Sequence, residues 1–137
     1  MAHGHIVKDV GALFEIDPLT RVITYKGSNP LLLMQYDHDS ERYTFRLPLK
    51  IDDHDMTLCN KVEVHYINIG SNDRLEDIYE VTDLAKDPED DKFAKFTWLV
   101  SQNATMFPGS LSFMIRFRCL TGTKIDYSWS TAVFSSI

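Results

Sequence analysis

In the stretch LSFMIRFRC, Leu111, Phe113, Ile115, Phe117 and Cys119 alternate with Ser112, Met114, Arg116 and Arg118. Successive side chains of a β-strand leave opposite faces, so this spacing makes one apolar face only if the chain is extended. Wound at about 3.6 residues per turn, the same set would ring a helix. The pattern recurs in YTFRL, where Tyr43, Phe45 and Leu47 oppose Thr44 and Arg46, and in KVEVHYINI, where Val62, Val64 and Tyr66 oppose Glu63 and His65. It recurs again in IDYSWSTAV, with Ile125, Tyr127, Trp129, Thr131 and Val133 in phase. Weaker strands are expected at Ala12 to Ile16, Val22 to Tyr25, Leu31 to Tyr36 and Phe93 to Val100, the last with Ala94, Phe96, Trp98 and Val100 on one face.

Turn chemistry separates these runs: Asp17-Pro18, Gly27 to Pro30, Asp37 to Ser40, Gly70 to Asp73, Pro108-Gly109 and Thr121 to Thr123. Between Asn72 and Lys86 the sequence admits a helix with Leu75, Ile78, Tyr79 and Thr82 on one face, or a short strand through Ile78 to Val81; the strand is preferred. Short strands joined by turns predict an all-β fold with little helix, an antiparallel β-sandwich of immunoglobulin-like type. Trp98, Trp129, Phe113 and Phe117, in phase with their apolar neighbours, are the expected structural core. The 137 residues suit one sandwich domain spanning 1–137, with 1–10 as a mobile N-terminal segment. KDPEDDK, Lys86 to Lys92, reads as an exposed connection.

Charge narrows the partners. Fourteen Lys and Arg against twenty Asp and Glu give a net charge of −6, without the clustered basic surface that a phosphate backbone or an anionic membrane requires. Neither a nucleic acid nor a membrane is expected. The N-terminus lacks a basic stretch followed by an apolar one, so a soluble chain without a signal peptide is expected. Cys59 and Cys119, far apart and without Cys-x-x-Cys spacing, read as two buried, reduced thiols. Asn103-Ala104-Thr105 fits a glycosylation acceptor but carries little weight without export.

Candidate chemistry is sparse. IDDHDMTLC gathers Asp52, Asp53, His54 and Asp55 ahead of Cys59. Adjacent side chains on an extended segment point apart, and calcium loops use alternate oxygens with a glycine at the sharp turn, which is missing here. Zinc through His54, Cys59 and an aspartate lacks the paired spacing of structural sites. The segment therefore reads as a polar turn between the strand ending near Leu49 and the one beginning near Lys61, facing solvent or a partner, and no metal is expected. There is no Gly-x-Ser-x-Gly elbow, and none of the five histidines sits in a catalytic motif. His3 and His5 belong to the terminal segment, and His65 points away from the apolar face of its strand. Glu15 and Asp17, or Asp87 and Glu89 to Asp91, are the carboxylates a glycosidase would need, but acidic loops are mostly solvated. No catalytic residue and no cofactor is expected.

Two features point to assembly. Leu31, Leu32, Leu33 and Met34 put apolar side chains on both faces of one expected strand, and Phe134 to Ile137 end the sequence as a strand with no polar tail. Such surfaces need a cover, either a loop of the same chain or another subunit; on the second reading Leu31 to Met34, Phe134 and Ile137 form the candidate interface of a homo-oligomer.

The runs IDDHDMTLCNKVEVHYINI, YEVTDL, FTWLVSQNAT, GSLSFMIRF and IDYSW resemble small proteins of tailed bacteriophages and prophages. Over residues 40 to 134 the chain is similar to the N-terminal domain of the phage baseplate upper protein family. The resemblance implies a β-sandwich that docks receptor-binding apparatus onto the distal tail without enzymatic activity. Other tail and baseplate proteins would be its partners, and the virion, assembled in the bacterial host cytoplasm, its location. It does not extend to the helical shaft and C-terminal module that follow this domain in the family. The rival from another class is a carbohydrate-binding sandwich using Tyr25, Tyr36 or Phe107 as stacking platforms.

Overall fold

A computed structural model describes residues 7–27, 40–100 and 110–136. Nearly all of them lie in strands or the turns between strands. One sheet has the order β2-β1-β3-β9-β8, formed by Ile23–Tyr25, Val7–Ile16, Ser40–Pro48, Phe93–Val100 and Ala85–Lys86. The other runs β11-β10-β6-β7, formed by Lys124–Ser130, Ser110–Thr121, Lys61–Ile69 and Arg74–Glu80, with β12 (Phe134–Ser136) also paired to β10. A small hairpin, β4 (Lys50–Ile51) with β5 (His54–Asp55), and a 3-10 turn at Met56–Leu58 join the sheets.

The period-two residues face each other between the layers. Phe14, Tyr43, Phe45, Leu47, Ala94, Phe96, Trp98 and Val100 from the first sheet meet Val62, Val64, Tyr66, Leu111, Phe113, Ile115, Phe117 and Trp129 from the second. Phe113 is the hinge of this packing: its ring stands edge-on to Phe14, Phe45 and Trp98 at 5.8, 5.8 and 5.1 Å, across the gap between sheets. Each such ring contributes about 1.5–3 kcal/mol by leaving water. Trp98, Trp129, Phe113 and Phe117 all belong to the buried cluster.

Several local expectations change. The stretch open to helix or strand is β7, antiparallel to β6. One pair departs from the antiparallel reading: β1 and β3 run parallel, Phe14 opposite Phe45, a pairing that a two-residue hairpin cannot make. β1 already begins at Val7, inside the segment expected to be mobile. The run through Val133 is not continuous. β11 stops at Ser130, and Thr131 stays tied to Ile115 by its backbone N–H and its hydroxyl. Ile125 and Val133 are 54% and 66% exposed despite their phase. Asp87 in KDPEDDK is only 6% exposed, 3.4 Å from Nε of Arg46, an ion pair without hydrogen-bond geometry at that nitrogen. Leu31 to Met34 and Ile137 lie outside the described residues.

Candidate functional site

The DDHD segment folds as a two-residue hairpin turn. Asp52 and Asp53 take φ of 52° and 62°, the left-handed pair that a tight hairpin of matching twist demands, and aspartate is among the residues that tolerate it. Ile51 then pairs with His54. Asp55 caps the 3-10 turn: its Oδ1 accepts from the Thr57 N–H and hydroxyl at 2.9 and 2.6 Å, which holds its carboxyl below the usual range. Met56, wholly buried, anchors the turn, and Cys59 closes it.

His54 does not point freely to solvent. Its ring stacks on Tyr127 at 3.9 Å with an interplanar angle of 13°, and its Nε2 lies 3.2 Å from Sγ of Cys119. Sγ of Cys119 in turn lies 3.3 Å from Sγ of Cys59. The ligand atoms of His54, Cys59 and Cys119 fall within 4.8 Å of one another. The hairpin alone offers an aspartate as third partner; the structure supplies Cys119 from the far end of β10.

Three devices fix this geometry. The side chain of Asn60 clasps the backbone of Leu120, donating to its carbonyl at 2.9 Å and accepting from its N–H at 2.8 Å, which locks the residues after the two cysteines together. The β10·β11 register shifts between Cys119 and Leu120, an irregularity of the kind that re-aims a side chain. The Tyr127 stack sets the imidazole plane. Burial, and then the adjoining Cys119, push the Cys59 thiol well up, so it is neutral at physiological pH. Burial likewise raises the Tyr127 hydroxyl, whose oxygen is buried without a hydrogen-bond partner among the described residues. A thiol beside an imidazole is the core of a cysteine nucleophile, but such a centre needs an adjacent cation to create the thiolate. Here the second thiol adjoins the first instead.

The outer face of the second sheet is different. Ile78, 51% exposed, and Val133 border an open groove of about 480 Å³ with His65, Ile67, Glu76 and Met114. Beside it, Glu63 Oε1 accepts from Arg118 at 2.7 Å and lies 3.3 Å from His65 Nε2. Burial alone would raise the Glu63 carboxyl, but Arg118 and His65 together bring it below its ordinary value. His65 therefore belongs to a surface charge network.

The other sequence candidates are dispersed. Asp17 accepts from the N–H groups of Leu19 and Thr20, and Asp87 and Asp90 both hold Arg46, so these carboxylates serve turns and an ion pair. Tyr25 packs its ring on Phe14 at 5.4 Å, while Tyr36 and Phe107 lie outside the described residues. Phe134 packs at 5.4 and 5.0 Å against Phe14 and Phe113, so its ring is spent largely within the chain.

No family model matches the chain, and none of the curated proteins does. Among solved structures it is similar to the N-terminal domain of phage TP901-1 ORF48, with a TM-score of 0.52 and 14% identity, over 90% of this chain and 93% of that one. The two share a fold.

Proposed function

We propose that this chain is a non-enzymatic structural component of a bacteriophage tail or baseplate that works by protein–protein docking. The observation that carries the reading is the likeness to a phage domain over 90% of this chain, found where its strand sequences already resemble the N-terminal domain of baseplate upper proteins. The virion is its location on this reading, and immunoglobulin-like describes the sandwich it brings there. Edge chemistry supports association. β7 carries Arg74, Glu76, Asp77 and Glu80, charges that discourage a neighbouring strand, whereas Phe134–Ser136 of β12 carries none. Pairing along β12 and burial of Leu31 to Met34 and Ile137 against another copy or a tail protein would cover those residues. Light scattering at micromolar concentration, alone and with tail proteins encoded beside this gene, tests the reading. A discrete oligomer or complex that Leu32→Lys or Leu33→Lys dissolves without unfolding the chain is expected. A chain that stays monomeric and binds none of those proteins would overturn it and advance the carbohydrate-binding alternative.

A further inference from the structure

We propose that His54, Cys59 and Cys119 bind a zinc ion, with Nε2 of the histidine and Sγ of each cysteine as three tetrahedral ligands and a water as the fourth. The inference goes beyond the docking role, does not rest on it, and departs from the expectation of no metal drawn from the sequence.

The donor set favours it. Thiolate and imidazole suit a borderline-soft dication, and two thiolates with Zn²⁺ make an electrically neutral centre, which lowers the cost of burying the ion. Each thiol releases its proton to solvent as its sulfur–metal bond forms.

Geometry decides between this and a disulfide. Tetrahedral bonds of about 2.3 Å to sulfur and about 2.0–2.1 Å to nitrogen place ligand atoms roughly 3.6–3.8 Å apart. The observed separations are 3.3 Å between sulfurs and 3.2 Å from Nε2 to Sγ of Cys119, with all three atoms within 4.8 Å of one another, so these two edges need open by only about half an ångström to admit the ion. A disulfide requires the sulfurs to close to about 2.05 Å, a movement more than twice as large.

The surroundings are those of a supported site. The Asn60 clasp, the β10 irregularity and the Tyr127 stack hold all three ligands before any ion arrives, as the outer partners of metal ligands do. The Tyr127 hydroxyl, on the ring stacked against His54, is buried without a hydrogen-bond partner among the described residues. Bound there, zinc would tie the β4–β5 hairpin and the entry to β6 to the end of β10.

The test uses the full untagged chain, purified under reducing conditions from cells grown with zinc. Elemental analysis after gel filtration is expected to give about one zinc per chain. Cobalt(II) in its place should show thiolate charge-transfer absorption and the intense visible bands of a tetrahedral site. Cys119→Ser and His54→Ala should lose the metal, and Asn60→Ala should weaken it roughly 10–100-fold. A His3→Ala, His5→Ala double variant should keep it, which excludes the N-terminus as the binder. Zinc should raise the Tm of the parent but not of Cys119→Ser, a readout that survives if that variant is less stable. The proposal fails if the parent carries no zinc, whether its thiols are free or joined as a disulfide. It fails equally if Cys119→Ser and His54→Ala both retain the metal.

Discussion

Replacing Trp98 by alanine should destabilise the protein more than the same change at Trp129, although the two side chains are 1% and 2% exposed. The difference lies in what each ring touches. Trp98 sits on β9 opposite Tyr43 of β3, with Tyr43, Tyr66 and Phe113 at 5.7, 5.3 and 5.1 Å, so its loss opens a cavity bounded by rings from both sheets. Trp129 lies on β11 at the sheet edge, against Phe117 at 5.8 Å and beneath the Arg21 guanidinium at 5.1 Å, where an exposed arginine side chain can follow the vacated space. Truncating a buried tryptophan costs about 3–5 kcal/mol. Aromatic pairs add about 0.5–1.5 kcal/mol each beyond burial. Trp98 therefore belongs near about 5 kcal/mol and Trp129 near about 3, by the same range. With a urea dependence of about 2 kcal/mol per molar, the midpoint should fall by about 2.5 M and about 1.5 M respectively. Urea titrations followed by far-ultraviolet circular dichroism read both shifts. Should Trp98→Ala prove unfolded without urea, Trp98→Phe and Trp129→Phe are expected to keep the same order. An Ala variant with the parent's midpoint, or Trp129→Ala at least as damaging as Trp98→Ala, would refute the reasoning.

Glu63, held below its ordinary value by Arg118 and His65 despite burial, contributes stability that is complete above the unfolded carboxylate value of about 4.3. That stability disappears as pH falls through the lower folded value, so acid titration should destabilise the parent more steeply than Glu63→Gln, and parallel profiles would contradict the pairing. Asp87→Ala should cost about 1–3 kcal/mol in thermal or urea unfolding, because it strips Arg46 of one partner and the Glu89 N–H of its acceptor; a change within error would remove the ion pair from the account. At the hairpin, Asp53→Val should cost about 1–2 kcal/mol for a β-branched residue at positive φ while Asp53→Gly is tolerated. Equal stabilities would show that the turn is of another type.

The sandwich was legible because period-two patterning reports which face of a strand is buried, and LSFMIRFRC and FAKFTWLV carry it without interruption. It failed where burial is decided by neighbours. Ile125, near the start of edge strand β11, and Val133, in the link between β11 and β12, keep the apolar phase yet are exposed, and Asp87 breaks the exposed pattern because Arg46 reaches across 41 residues of sequence to meet it. Parallel pairing of β1 with β3 leaves no local trace at all. The cluster was half visible. His54 and Cys59 are close in sequence, and Cys119 shares the apolar phase of its strand, but 60 residues separate the cysteines, and only the antiparallel pairing of β6 with β10 brings them to one end of the sheet.

The proposed place of the chain in a virion is open to direct measurement by quantitative mass spectrometry of purified particles from the phage or prophage that encodes it. The chain is expected in the particles at a fixed ratio to the tail proteins, retained through a density gradient and lost from tailless heads. Particles with complete tails and none of this chain would contradict it.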